Sequence, residues 1–160
     1  MTRPTGNSIA ELFKALAPAL VLYARQWTGP VGAEDVVQEV FVRMLAAGNQ
    51  PAEPRTWLFR CVRNAAISAS RSTRRRGKRE ESIAAAVPEW FVATHDERID
   101  AKAAQAAMSE LPIEQREIVA LRIWSQMTLA EIRDITGLPT STIHDQYRAA
   151  LATLRGKLEQ

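Results

Sequence analysis

Apolar residues recur three and four positions apart along almost the whole chain, and no segment sustains the period-two alternation that a half-buried strand requires. That periodicity restricts the fold to helices. Ile9, Leu12, Phe13, Leu16, Leu20, Tyr23 and Trp27 trace one face of a first amphipathic helix. Ser8, with Glu11 three residues on, has the spacing of a capping box, so this helix is expected to open at Ser8. Pro18 is expected to kink it and Thr28-Gly29-Pro30 to end it. A second helix is expected over 33–47, with Glu34 and Asp35 in the first turn, where the helix dipole favours acid. Its buried stripe reads Val36, Val37, Val40, Phe41, Met44 and Leu45, and Gly48-Asn49-Gln50-Pro51 stops it. A third helix begins near Arg55, turns Trp57, Leu58, Cys61, Val62, Ala65 and Ile67 inward, and runs to a basic end.

Residues 77–99 break the pattern with mixed charge, an alanine run and Pro88, and read as a linker. Helical periodicity then resumes. One helix is expected over 100–110, broken by Leu111-Pro112, and another over 113–124 with Ile118, Leu121 and Trp124 inward. Thr128 and Glu131 form a second capping box, and Gly137 stands where a helix needs its left-handed terminator. A last helix carries Ile143, Tyr147, Leu151, Leu154 and Leu158 on one face. A chain of 160 residues is long enough for two small domains. The expected fold is all-α: two small helical domains, 1–76 and 100–160, joined by the linker 77–99.

Several function classes drop out. With a single cysteine, Cys61, no intramolecular disulfide or cysteine-based zinc cluster can form, and His95 and His144 lie far apart without ligand spacing. No glycine-rich phosphate loop, paired histidine and carboxylate, or nucleophile elbow is present. No catalytic residue, cofactor or metal is expected, and Cys61, in an apolar helical setting, reads as core. No apolar run approaches the roughly 20 residues of a membrane span, and no basic start precedes an apolar stretch as in a signal peptide. The expected location is the cytoplasm.

Three constellations remain. The segment 128–154 has the form of a helix-turn-helix: a short capped helix, a glycine turn and a second helix entered through proline and hydroxyl residues. Its second helix offers Thr140, Ser141, Thr142, His144, Asp145, Gln146 and Arg148 to phosphates or base edges. An ordinary helical hairpin with a solvated face has the same pattern. The net charge is only +3, so its distribution says more than its sum. Arg55, Arg60, Arg63, Arg71, Arg74, Arg75, Arg76, Lys78 and Arg79 follow one another without an acidic residue between them, interleaved with Trp57, Phe59 and Asn64. This is an electrostatic footprint for nucleic acid; a solvated basic face or tail is the alternative. Asp35, Gln38, Glu39 and Arg43 form a polar face of the second helix. Its acid repels DNA and suits a basic protein partner, although routine Glu39–Arg43 pairing also accounts for it.

Taken in order, the signals resemble a known family. Ala33-Glu34-Asp35-Val36-Val37-Gln38-Glu39-Val40-Phe41 resembles the core-binding helix of sigma factors, and Trp57-Leu58-Phe59-Arg60-Cys61-Val62-Arg63-Asn64 with its arginine run resembles their promoter-melting helix. Leu111-Pro112 with Gln115-Arg116-Glu117, followed by the helix-turn-helix, resembles their second DNA-reading domain. The short linker points to the extracytoplasmic-function group of the sigma-70 family. The resemblance implies an alternative sigma factor that directs core RNA polymerase to particular promoters. Asp35, Gln38, Glu39 and Phe41 would bind core polymerase at the β′ clamp helices, with the β flap a further contact. Arg60, Arg63, Asn64, Arg71, Arg74, Arg75 and Arg76 would read and melt the downstream (minus-10) element. Thr140, Ser141, Thr142, His144, Asp145, Gln146 and Arg148 would read the upstream (minus-35) element. Many members of the family are held by an anti-sigma factor, which is an admissible further partner. The chain departs from the pattern in having Ser68 where an aspartate is common, and His144, Asp145 and Gln146 where basic residues and serine are common. An unusual upstream element, or weaker phosphate affinity there, is therefore expected. A stand-alone helix-turn-helix regulator would leave the acidic and aromatic-basic helices unexplained, and a protein-only adaptor would leave the arginines unexplained.

Overall fold

The computed structural model describes residues 6–48, 50–76 and 98–159, with side chains over 8–48, 50–73 and 103–159. The chain separates into two compact units, Met1–Glu81 and Ser82–Gln160. Both are helical, with no strand among the described residues. The predicted linker falls, up to residue 97, outside the described residues.

The first unit consists of α1 (Gly6–Ala47) packed on α2 (Pro54–Arg76). Helix α1 is two arms that meet at Gly29, whose φ of 71° and ψ of −175° lie in backbone space essentially closed to side chains. A Cβ there would meet nothing within 4 Å, so the backbone alone demands glycine. Pro30 follows in the first turn of the second arm, where a missing N–H removes no helical bond. Thr28 Oγ1 closes the first arm, 3.2 Å from the Ala24 carbonyl oxygen and 2.9 Å from that of Gly29.

One local expectation fails in α1. Ser8 lies inside the helix rather than capping it, and its hydroxyl donates to Gln50 Oε1 at 3.4 Å, tying the start of α1 to the segment before α2. Pro18 does not break the helical dihedrals, which depart only at Gly29. Lys14 and Pro18 are both exposed, so the carbonyl left without its partner can be solvated.

Leu20, Tyr23 and Ala24 of the first arm, Val37, Val40, Phe41 and Met44 of the second, and Leu58, Phe59, Val62 and Ala66 of α2 make the core. Tyr23 joins the elements, meeting Trp27 edge-on at 5.0 Å and Phe59 at 5.5 Å between ring centroids. Phe59 is thus fully buried rather than interleaved with the arginines on a nucleic-acid face. The inward row of α2 is Leu58, Phe59, Val62 and Ala66, which leaves Trp57, Cys61, Ala65 and Ile67 half-buried at its margins. Leu45, expected in the stripe of the second arm, is 54% exposed.

The second unit runs α3 (Arg98–Ser109), α4 (Ile113–Val119), a π turn (Ala120–Trp124), α5 (Leu129–Thr136) and α6 (Thr140–Leu158). Pro112 starts α4, as the Leu111-Pro112 break anticipates. The predicted helix over 113–124 ends differently from the expectation: Ser125 N–H donates to the Ala120 carbonyl at 3.2 Å, a five-residue step. Arg122 then donates to the Met127 carbonyl at 2.8 Å and holds the turn into α5. Both bonds of the Thr128–Glu131 capping box are present, at 3.1 and 3.2 Å. Met108, Ile118, Leu121, Met127, Ile132 and Ile143 are fully buried at the centre of the unit. Trp124 is only half-buried, and Leu158 is 52% exposed at the end of α6, where Lys157 pairs with Glu110.

Gly137 ends α5 in the left-handed conformation, φ 77° and ψ 5°, with its N–H donating to the Arg133 carbonyl at 2.7 Å. No atom crowds it, so the strain of a side chain there is purely backbone. Gly137→Ala is expected to destabilise the unit by about 1–2 kcal/mol. In thermal denaturation that would be a fall of roughly 4–16 °C in the midpoint for a unit this small.

Candidate functional site

The outward face of the second arm of α1 is built by the same periodicity that builds the core, half a turn away. Val31, Asp35, Gln38, Val42 and Leu45 are all exposed and follow one another at spacings of four and three. That is the spacing of a seam that packs along another helix. Val31 is 91%, Val42 61% and Leu45 54% exposed, so large apolar side chains lie at both ends of the seam, with Asp35 and Gln38 between them. Glu34 and Glu39 flank it, and Glu39 pairs with Arg43 at 2.7 Å, the expected i,i+4 contact. Both partners are well exposed, so this pair contributes only a few tenths of a kcal/mol.

Phe41 is placed differently from the other residues of its predicted group. It is 4% exposed and meets the Phe13 ring edge-on at 5.0 Å. It supports the arm from behind and presents nothing to a partner, because its position lies on the inward side with Val37, Val40 and Met44. Val42 and Leu45 present the apolar surface instead. Sequence reasoning misses them, and the signal is their phase: they continue the row of Asp35 and Gln38 rather than that of Val37.

On α2, Arg60, Asn64 and Arg71 are exposed on the side opposite Leu58, Val62 and Ala66. Arg74, Arg75 and Arg76 occupy the last turn of the same helix. Arg63 is half-buried, and its guanidinium carbon stands 5.9 Å from the centroid of the Trp27 ring, a cation–π contact that also ties α2 to α1. Cys61 lies beside this row. Burial pushes its thiol up from its ordinary range, against the pull of the Arg60 and Arg43 charges. An activated thiolate needs the opposite shift.

On α6, Ile143 and Ala150 point into the core, and Thr140, Ser141, His144, Asp145 and Arg148 are exposed. Thr142 and Gln146 are half-buried at the edges of that face. Pro139 precedes the helix with φ −60° and ψ 147°, and no side chain caps the first turn. Its leading amides are therefore available to an anion such as phosphate. The predicted residues thus gather on two neighbouring helices of the first unit and, separately, at the start of α6 in the second. Among the described residues no group of histidine, cysteine or carboxylate side chains is arranged to hold a metal ion. No described helix is long and apolar enough to cross a membrane.

Residues 12–76 match Sigma-70 region 2, and residues 107–156 match Sigma-70 region 4. The ECF RNA polymerase sigma factor SigL of Mycobacterium tuberculosis is 30% identical over 174 residues, spanning 100% of this chain and 97% of that protein. The chain belongs to the ECF RNA polymerase sigma factors. This sigma factor is also 30% identical over 131 residues to the RNA polymerase sigma-E factor of Streptomyces antibioticus, covering 81% of this chain and 72% of the relative. Its fold is that of the sigma factor RpoE of Bartonella quintana, solved with the anti-sigma factor NepR, at a TM-score of 0.78 and 22% identity over 96% of this chain and 98% of that one. CnrH, solved with the cytosolic domain of CnrY, gives a TM-score of 0.68 at 22% identity over 97% and 90%. Membership makes this sigma factor an alternative initiation factor of transcription, working with RNA polymerase. The region 2 match contains most of α1 and all of α2, and the region 4 match contains α4, α5 and most of α6.

Proposed function

We propose that this sigma factor divides its work among three faces. Residues 1–76 bind core polymerase and open the downstream element, residues 77–99 link, and residues 100–160 read the upstream element. The exposed seam of α1, with Asp35, Gln38 and Glu39 contributing charge and polarity and Val42 and Leu45 contributing apolar area, lies along the clamp helices of the polymerase β′ subunit. Arg60, Asn64 and Arg71, with Arg63 behind them and Arg74, Arg75 and Arg76 beyond, hold the non-template strand as a base leaves the stack. That event takes a few kcal/mol and favours A·T-rich DNA. The start of α6 enters the major groove of the upstream element through Thr140, Ser141, Thr142, His144, Asp145, Gln146 and Arg148, and the second unit meets the β flap. The factor does no covalent chemistry itself; it is a specificity subunit at work in the cytoplasm. An anti-sigma factor, the class of partner named for the Bartonella relative, would regulate it by occupying the α1 seam in place of polymerase.

One observation carries this reading. A single small unit has two exposed faces of opposite character, an acidic seam with apolar ends on α1 and a cationic row on α2. Acid repels DNA and the arginines attract it, so the two faces suit different partners. The test is size-exclusion co-elution of the purified factor with bacterial core polymerase. Wild type should co-elute, and Asp35→Arg, which reverses a charge at an exposed position, should weaken binding at least about tenfold. Undiminished co-elution of Asp35→Arg would remove the seam from the contact.

A further inference from the structure

Seen from the buried anchors Ile143 and Ala150, the opposite side of α6 is a row formed by Ser141, Asp145, Arg148 and Ala152, spaced four, three and four residues apart. Asp145 sits at the crest of that row, and its side chain is 84% exposed. Of the exposed residues that follow, Ala149 and Ala152 are small and Arg148 is a long, flexible cation, which a nucleic-acid surface attracts rather than repels. Among the described residues Asp145 makes no hydrogen bond. Its one ion-pair contact is to His144 Nδ1 at 4.0 Å, a pair that exists only when the histidine is protonated. Arg148, one turn on, forms no ion pair among the described residues. Nor does the helix dipole account for the acid, because the benefit fades after the first turn and Asp145 stands in the second.

A carboxylate on a DNA-reading face is repelled by phosphate, and at the crest of the helix it meets base edges before backbone. It has acceptors only. In the major groove guanine offers acceptors, and thymine an acceptor with a methyl group. Adenine sets its amino donor beside the N7 acceptor, which opposes a carboxylate. Cytosine offers its N4 amino group, a donor with no acceptor beside it on the same base. We propose that Asp145 is a specificity determinant of the upstream element, its carboxylate accepting a hydrogen bond from the amino group of one cytosine and excluding guanine and thymine at that position. This rests on the reading of α6 as the helix that enters the upstream element.

The experiment is selection from promoter DNA randomised through the upstream element, using holoenzyme assembled from core polymerase and the full chain. Wild type should hold one position to cytosine. Asp145→Ala should lose that preference, a drop of about tenfold in discrimination, and leave the other positions and polymerase binding unchanged. Asp145→Asn, which adds a donor beside the acceptor, should shift the same position towards adenine. Asp145 is exposed and unbonded, so these variants keep the fold, and thermal unfolding checks it. If Asp145→Ala keeps every preference, or raises affinity for all sequences alike, Asp145 reads no base and the proposal falls while α6 stays on the DNA. If wild type selects no upstream base at all, the reading of α6 falls with it.

Discussion

Glutamate at Val42 and Leu45 together should deprive this sigma factor of core polymerase while its unfolding transition stays in place. Both side chains are more than half exposed and lie outside the core of their unit, so their replacement should move folding stability by no more than about 0.5 kcal/mol. With Val31 they are the apolar part of the seam proposed to dock, and completing the burial of one such half-exposed side chain is worth about half of the roughly 1.5–3 kcal/mol of full burial. Losing two, and bringing two carboxylates into the contact, should weaken binding by at least about a hundredfold. Phe41→Ala makes the contrast. That ring is buried against Phe13, and its loss should lower the stability of the unit by about 3–5 kcal/mol. Polymerase binding would then fall only along with the fold. Co-elution and thermal unfolding, measured on both variants, separate a docking surface from its support. A Val42→Glu, Leu45→Glu protein that still co-elutes would place the dock elsewhere.

The helices are legible because their periodicity is a property of the residues, and the turns because Gly29-Pro30, Thr128 with Glu131, and Gly137 each answer a specific backbone demand. The sides of the helices are less legible. The second arm of α1 is apolar on two rows, one through Val37, Val40 and Met44 and one through Val42 and Leu45. Periodicity alone cannot tell which row the chain covers itself and which it leaves for a partner. Only the packing of α2 decides that, and so the pattern puts Leu45 in the wrong row and Phe41 in the wrong role. Phe59 misleads for a related reason. It stands next to Arg60 in sequence, yet adjacent helical residues are about 100° apart, and the ring turns inward to Tyr23 while the arginine turns out. The π turn after α4 is not legible in the periodicity, which does not distinguish a five-residue step at the end of a helix from a four-residue one. At the start of α6 Thr140, Ser141, His144, Asp145 and Arg148 are exposed as the pattern anticipates, because Pro139 fixes where the helix begins and Ile143 which way it faces, while Thr142 and Gln146 fall half-buried at the edges.

Removing Arg74, Arg75 and Arg76 together should impair promoter opening and flatten its dependence on salt. The exposed row of Arg60, Asn64 and Arg71 leads along α2 towards the last turn, which Arg74, Arg75 and Arg76 occupy in sequence. Each phosphate a cation neutralises releases counterions and adds about 0.7–0.9 to the slope of log affinity against log salt. Without these three cations the slope should therefore be shallower by about 2–3, so that raising the salt weakens wild type steeply and the variant much less. Alanine also removes charges that suit the negative end of the helix dipole, a loss of a few tenths of a kcal/mol or more at each position. Lysine at all three positions separates the two effects. It keeps the dipole interaction and the counterion slope but lacks the planar fork that grips a phosphate through two bonds. Open-complex formation measured against salt should then show the wild-type slope with reduced affinity for the lysine protein, and a shallow slope for the alanine protein. If the alanine protein opens promoters as wild type does, the end of α2 does not hold the DNA, and the opening face is confined to Arg60, Arg63, Asn64 and Arg71.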